Sequence, residues 1–317
     1  MLYASRAASA RERIHRKSMS KFKKVKLKGN ESFNFREGWL RKGMRCVGEC
    51  ETLFSQDDVM ERLGVGSKMV KSIRYWLQAT DLCKEVYVNN GRTRAQVMTD
   101  EFGRVINEYD PYFDDIFTLF LIHWHIVSNE SLCIAWNIFF NEFEGQDFTR
   151  ENMIANCREL LIRKLDAGCE FSERSFEDDC LSVIRMYAEP ENDEDPEESL
   201  KCPLTALGLL QKNSKNTFTR SAPALDSLDK LVILYVITKN LPDGKNSVSI
   251  NDLLNAPDNI GRVFNLSRVM INNYLDQLRV GNYLTVNRTA GLDMVYIDPI
   301  MRPSDIMIEY YRMAQER

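Results

Sequence analysis

Between residues 68 and 79 the apolar side chains recur with the period of a helix. On a wheel of about 100° per residue, Met69, Val70, Ile73, Trp76 and Leu77 share one face. Lys68, Lys71, Tyr75 and Gln78 lie opposite, with Ser72 and Arg74 on the flanks. Ser67 is placed to cap this helix. Gly64-Val65-Gly66 separates it from a preceding helix that Ser55 caps, with Asp57 and Asp58 in its first turn. After Thr80 the period changes to two. Val86-Tyr87-Val88 leads into the turn Asn89-Asn90-Gly91, residues 92–98 return, and Thr99 caps a further helix. Helix, tight turn, second helix and hairpin in that order predict a winged helix-turn-helix. Upstream, residues 20–54 read as short strands and turns, in which Lys21, Lys23, Lys24, Lys26 and Lys28 interleave Phe22, Val25 and Leu27.

From 111 to 188 the pattern is helical throughout, with helices expected over 115–128, 131–143, 150–164 and 175–187. Aromatic residues at 112, 113, 117, 120, 124, 136, 139, 140 and 143 form a dense set at helical spacing, which reads as core. His123 and His125 are two apart on a helix, point to opposite sides and cannot share a metal, so they too read as core. Residues 189–198 hold seven acids and two prolines and read as a solvated linker. A second polar stretch, 211–223, reads the same way. The last hundred residues then repeat the first architecture, with helices over 226–239 and 251–255, and a helix over 268–280 capped by Ser267. A second hairpin follows around the turn 287–291. Ile271, Tyr274, Leu275 and Leu278 face its core, while Val269, Asn273 and Asp276 face outward.

The expected fold is therefore mainly α with small β wings: two winged helix-turn-helix modules around a central helical domain. The expected divisions are a disordered extension over 1–19, an N-terminal segment and winged helix over 20–110, an acidic helical domain over 111–188, a linker region over 189–224 and a C-terminal winged helix over 225–317. The first 18 residues, rich in Arg, Ser and Ala, have the composition of a transit peptide, but fit better a disordered extension upstream of a start at Met19.

Charge changes this picture by sorting the modules. The net charge of −4 conceals an excess of 8 Lys and Arg over residues 1–110, a deficit of 15 over 111–199 and an excess of 3 over 200–317. An overall acidic chain thus carries a local basic footprint, which is what nucleic acid requires. On the first module, Lys68, Lys71, Arg74, Tyr75 and Gln78 of the second helix and Arg92 and Arg94 of the wing are the candidate contacts to double-stranded DNA: cations for phosphates, amide and hydroxyl groups for base edges. Such modules also serve as protein docking units. On the C-terminal module Asp276 would repel phosphate, so a protein contact is expected there. The eight cysteines lack paired short spacing except Cys46 and Cys50, which no second pair completes as a zinc site. Reduced thiols and the interruption of the apolar run 116–127 by two histidines point to a cytoplasmic protein without membrane spans.

The string from Lys28 to Gly43, KGNESFNFREGWLRKG, resembles a signature of the family catalogued as domain of unknown function 4007, with Asn30 in place of the usual histidine and Ser32 in place of threonine. Asp110-Pro111-Tyr112, Leu121-Ile122-His123-Trp124-His125, Ala135-Trp136, Phe140-Asn141-Glu142-Phe143 and Cys202-Pro203-Leu204 with Leu207-Gly208-Leu209 continue the resemblance in order. It implies a place in bacterial operons for DNA phosphorothioation and related defence, beside cysteine desulfurases, sulfate-reductase-like enzymes and ATPases, and a DNA-nicking role. Within the string, Glu31 could take a metal (Mg²⁺ or Mn²⁺) or a proton, and Arg36 could clamp a phosphate. The alternative is a structural Glu31–Arg36 salt bridge over Phe33, Trp39 and Leu40. The alternative function is a non-catalytic winged-helix regulator or scaffold that recruits the sulfur-transfer enzymes.

Overall fold

A computed structural model describes residues 22–189, 202–289 and 292–316. The extension over 1–19 and most of the acidic stretch 189–198 lie outside the described residues. The chain is helical with small antiparallel sheets. The amphipathic stretch after Gly66 forms α3 (Ser67–Ala79), preceded by α1 (Trp39–Glu49) and the short α2 (Val59–Leu63) and followed by the hairpin β1 (Cys83–Val88) and β2 (Thr93–Met98). α4 (Gly103–Tyr109) follows, with the Thr99 hydroxyl accepting from the Gly103 amide at 2.8 Å.

α1 takes the place of the predicted strands and turns over 39–49 of the stretch 20–54, while 29–32 and 37–38 are turns as the sequence predicts. Gly43 and Gly48 lower helix propensity there and hide the helix from a reading of pattern alone. Packing explains Gly43: a Cβ at this position would stand 2.9 Å from Ile73 and Leu77 of α3. The gain from bringing the two helices together outweighs propensity.

The middle of the chain supplies α5 (Ile116–Ser128), α6 (Ile134–Asn141), β3 (Asp147–Thr149), α7 (Arg150–Lys164) and α8 (Glu173–Tyr187). Asp115, Thr149 and Ser172 cap α5, α7 and α8 with side-chain oxygens that accept from backbone amides. α5 is buried on all sides from Phe117 to Val127, as an apolar run without a polar face demands. Its two histidines are satisfied core residues. His123 Nε2 donates to the Val263 carbonyl at 2.9 Å, which leaves Nδ1 to accept from the Tyr187 hydroxyl at 2.8 Å, and burial holds the imidazole down to about 3. His125 lies 2.8 Å from the Tyr235 hydroxyl on the opposite side.

Residues 210–220 are not a linker. They form the hairpin β4 (Leu210–Ser214) and β5 (Thr217–Arg220), which pairs with β3 in the order β3-β5-β4. Polar composition misleads here because most of the hairpin's side chains face solvent, while Leu210, Phe218 and Arg220 alone turn inward. The Arg220 guanidinium donates to the carbonyls of Phe140 and Phe143 at the C-terminal end of α6, where backbone oxygens lack helical partners.

The C-terminal part comprises α9 (Lys230–Asn240), β6 (Ser247–Ser249), α10 (Ile250–Asn255), α11 (Ile260–Val263), α12 (Arg268–Val280), β7 (Thr285–Thr289), β8 (Leu292–Tyr296) and α13 (Pro303–Gln315), with sheet order β6-β8-β7. α13 returns to the N-terminal half. Tyr310 stacks on Phe117 at 3.8 Å, Tyr311 stacks on Tyr109 at 5.5 Å, and the Tyr311 and Thr118 hydroxyls lie 2.7 Å apart. One apolar cluster takes in residues from Phe35 to Tyr311, so the N-terminal and C-terminal parts of the described chain share one aromatic core.

Candidate nucleic-acid interface

α3 is enclosed on two sides. Val70, Ile73 and Leu77 are buried, and Ile73 and Leu77 meet α1 at Gly43. On its other side the segment 27–35 crosses α3: the Trp76 indole donates to the Phe33 carbonyl at 2.9 Å and the Ser72 hydroxyl donates to the same oxygen at 3.2 Å. What remains open is a narrow row along one face. Lys68 and Lys71 are exposed, and Arg74 and Gln78 are half-buried.

Tyr75 does not belong to that row. It is buried, its hydroxyl donates to the Leu132 carbonyl at 2.7 Å, and Gly29 lies so close to its ring that a Cβ there would stand 2.5 Å from it. The wheel places Tyr75 opposite the α1-facing stripe, but α3 has two partners rather than one. The second face belongs to the segment 27–35 and the helical middle.

The hairpin extends the row. Glu85 of β1 engages Arg74, stands 4.0 Å from Arg94 of β2, and accepts from Gln96 at 3.2 Å. It is the organising carboxylate between helix and hairpin. Arg92 and Arg94 are exposed at and beside the hairpin's turn, and Arg94 lies 6.0 Å from the Tyr87 ring centroid. The sequence reading overlooks Glu85 and Tyr87. The signal was present in the strand period of two, which puts 85, 87, 94 and 96 on one face once the turn is located.

The segment 28–36 is held elsewhere than its charges suggest. The Lys28 amide donates to Asp179 at 2.9 Å, its ammonium pairs with Asp178 at 2.7 Å, and the Asn30 amide donates to the Ser182 hydroxyl at 3.1 Å, all on α8. Asn30 is buried. Burial pushes the Asp179 carboxyl up to about 7. Between these anchors Glu31 and Ser32 adopt φ of 52° and 66°, a left-handed turn built without glycine, which costs of the order of 1–3 kcal/mol per residue.

The turn carries Glu31 to Lys71, at 3.8 Å. Arg36 instead lies 5.8 Å from the Trp39 ring centroid, so the described ion pair of Glu31 is with α3, not with Arg36. Among the described residues no group of three or more His, Cys, Asp or Glu is arranged to hold a metal. Glu31 offers a single carboxylate already facing an ammonium, a donor set unlike a preformed cage for Mg²⁺ or Mn²⁺. Among the described residues no helix is long and apolar enough to cross a membrane.

The family described as "Protein of unknown function (DUF4007)" matches residues 27–311. A solved structure described as "SspB crystal structure" superposes with a TM-score of 0.81 at 23% identity, covering 95% of this chain and 92% of that one. A second, "Magnesium ion-bound SspB crystal structure", gives 0.79 at 24%, covering 92% and 89%. At such identities the likeness is one of fold. No curated protein matches the chain.

Proposed function

Since the chain belongs to the DUF4007 family, we propose that it is the DNA-engaging component of a bacterial phosphorothioation-type defence system, acting in the cytoplasm beside other proteins of that system. The likeness in fold to SspB supports a role in such a system. The element order supports reading 20–110 and 225–317 as winged-helix modules around the helical domain 111–188, with 189–224 between them. In the first module, α1, α2 and α3 precede the hairpin β1–β2. In the second, α9, β6, α10 and α12 precede β7 and β8.

The observation that carries the proposal is the open row Lys68, Lys71, Arg74 and Gln78, continued by Arg94 and Arg92 on the hairpin. Two carboxylates stand against it: Glu85 is occupied by the arginines it spaces, and Glu31 faces Lys71 at 3.8 Å, which leaves Lys68 and Arg92 as its exposed cations with no ion pair described. Such a row follows a phosphate backbone, and Gln78 adds an amide for base edges. The outer face of α12 has a different character. Asp276 pairs with Arg279 at 3.5 Å, Arg268 pairs with Asp293 at 2.5 Å, and Val269 is exposed, a surface better suited to a protein partner than to phosphates. Titration of duplex DNA at several salt concentrations tests this. Affinity is expected to fall with a log-log slope of about −0.9 for each phosphate contacted. Salt-independent association, or none, contradicts it.

One observation favours a nicking role in addition: the strained Glu31–Ser32 turn presents a carboxylate beside Lys71, with Arg36 nearby in sequence. There Glu31 would take the proton of a water that attacks the phosphorus, the P–O bond of one strand would break with its oxygen protonated from solvent, and Lys71 would offset the charge of the phosphate. Because Glu31 is half-exposed and its pair long, the Glu31→Gln variant is expected to keep its melting temperature and DNA affinity and to lose conversion of supercoiled plasmid to open circles. A variant that nicks at the wild-type rate removes Glu31 from the chemistry and leaves the scaffold role.

A further inference from the structure

The hairpin β1–β2 is shaped by its own turn. Asn89 and Asn90 adopt φ of 53° and 56° and Gly91 one of 83°, the left-handed geometry that matches the twist of the flanking strands. The Gly91 amide donates to the Val88 carbonyl at 3.1 Å, and the Asn89 side chain donates to the Thr93 hydroxyl at 3.2 Å. A turn fixed in this way holds the residues beside it in a constant position.

Beside it, Tyr87 and Arg94 are direct cross-strand partners. The Tyr87 ring is 60% exposed, among the most exposed large apolar side chains described, and Arg94 is its neighbour on the same face. Because Glu85 lies two residues before Tyr87 and engages both Arg74 and Arg94, this face continues the row of Lys68, Lys71 and Arg74 onto the hairpin. The surface therefore joins cations to one largely exposed aromatic plate with an arginine beside it. The fold gains little from leaving such a ring in water.

Resting on the reading that this surface meets DNA, we infer that Tyr87 and Arg94 form a stacking platform for a nucleobase that has left the base stack. An aromatic ring stacks on any base through its face, and a guanidinium beside it adds attraction to the ring system and to the adjoining phosphate. In an intact duplex the faces of the bases are already covered by their neighbours. The platform therefore selects DNA in which a base is unpaired or extruded, while the row on α3 holds the flanking backbone. A polyanion is the fitting ligand because the carboxylates of the patch, Glu85 and Glu31, are already engaged by Arg74 and Arg94 and by Lys71, while Lys68 and Arg92 stand exposed.

The experiment compares two duplexes of one sequence, one fully paired and one with a short central unpaired loop containing 2-aminopurine. The wild-type protein is expected to bind the looped duplex about 5–100-fold tighter and to quench the probe by stacking. The Tyr87→Leu variant is expected to lose both the preference and the quenching, with its melting temperature and its affinity for the paired duplex unchanged. The Tyr87→Phe variant keeps both. Equal wild-type affinity for the two duplexes, or a preference that survives Tyr87→Leu, overturns the platform while leaving the DNA-binding row intact. Failure to bind either duplex overturns the DNA reading itself, and the platform with it.

Discussion

The Trp76→Ala variant is expected to melt on the order of 5–10 °C below the wild type, in a transition that involves the helical middle as well as the N-terminal part. Trp76 is fully buried where three parts of the chain meet. Its ring stands edge-on to Phe35 at 5.3 Å and to Trp136 of α6 at 5.6 Å, and its indole nitrogen holds the Phe33 carbonyl. Removing a side chain of this size from a closed core costs about 3–5 kcal/mol, and the segment 27–35 loses one of its two hydrogen bonds to α3. The Trp76→Phe variant is expected to be milder, since it keeps the ring and loses the donor. Thermal melts followed by circular dichroism and by tryptophan fluorescence check this. Coincident loss in both signals fits a continuous core. A variant that melts within about 2 °C of wild type would mean that Trp76 is not where the two parts are joined.

The second large effect depends on pH. Burial pushes the Asp179 carboxyl up to about 7, so the folded state holds its proton more tightly than the unfolded chain does. With the folded value raised above the ordinary 3.8, the contribution of Asp179 to stability is fully present below about pH 4 and is lost as pH rises through about 7. Above that, the fold contains a carboxylate whose burial costs up to roughly 4 kcal/mol relative to the protonated form. The Asp179→Asn variant retains an oxygen to accept from the Lys28 amide and carries no charge, while Asp178 keeps its ion pair with Lys28. It is expected to melt above the wild type at pH 8, and the difference is expected to shrink toward pH 4. Equal destabilisation at both pH values would show that Asp179 is held as a carboxylate and that Lys28 compensates it.

These two residues also mark the limits of a reading from sequence. α3 was legible because its apolar positions recur at helical spacing for three turns and a glycine pair marks its start, and Trp76 falls on the apolar face for that reason. Asp179 was not legible, because its partner lies 151 residues away and nothing in the local pattern of α8 distinguishes it from Asp178. Tyr75 was misplaced for a related cause. A wheel separates one apolar face from its complement, and cannot show that a second element, the segment 27–35, covers part of the polar side. Glu31 stands out in its string together with Arg36, but the two do not pair. The left-handed turn at Glu31 and Ser32 redirects the carboxylate to Lys71, and no propensity favours that turn at Glu and Ser. The hairpins were legible only where glycine and asparagine announce them. Asn89-Asn90-Gly91 does so, whereas β4 and β5 are joined by Lys215 and Asn216 within a polar run that looks like linker.

On the proposed function, the row on α3 and its hairpin carries DNA. The most direct test measures duplex affinity against salt for a variant in which Lys68, Lys71 and Arg92, all exposed and away from the core, become Ala together. Wild type and an Asp276→Lys variant on the outer face of α12 serve as references. The triple variant is expected to fold normally and to bind more weakly, with its log-log salt slope reduced by about 0.9 for each phosphate contact removed. The Asp276→Lys variant is expected to keep wild-type affinity or exceed it. A folded triple variant with unchanged affinity and slope, or a clear loss of binding in Asp276→Lys, would contradict the assignment and place DNA on the C-terminal module instead.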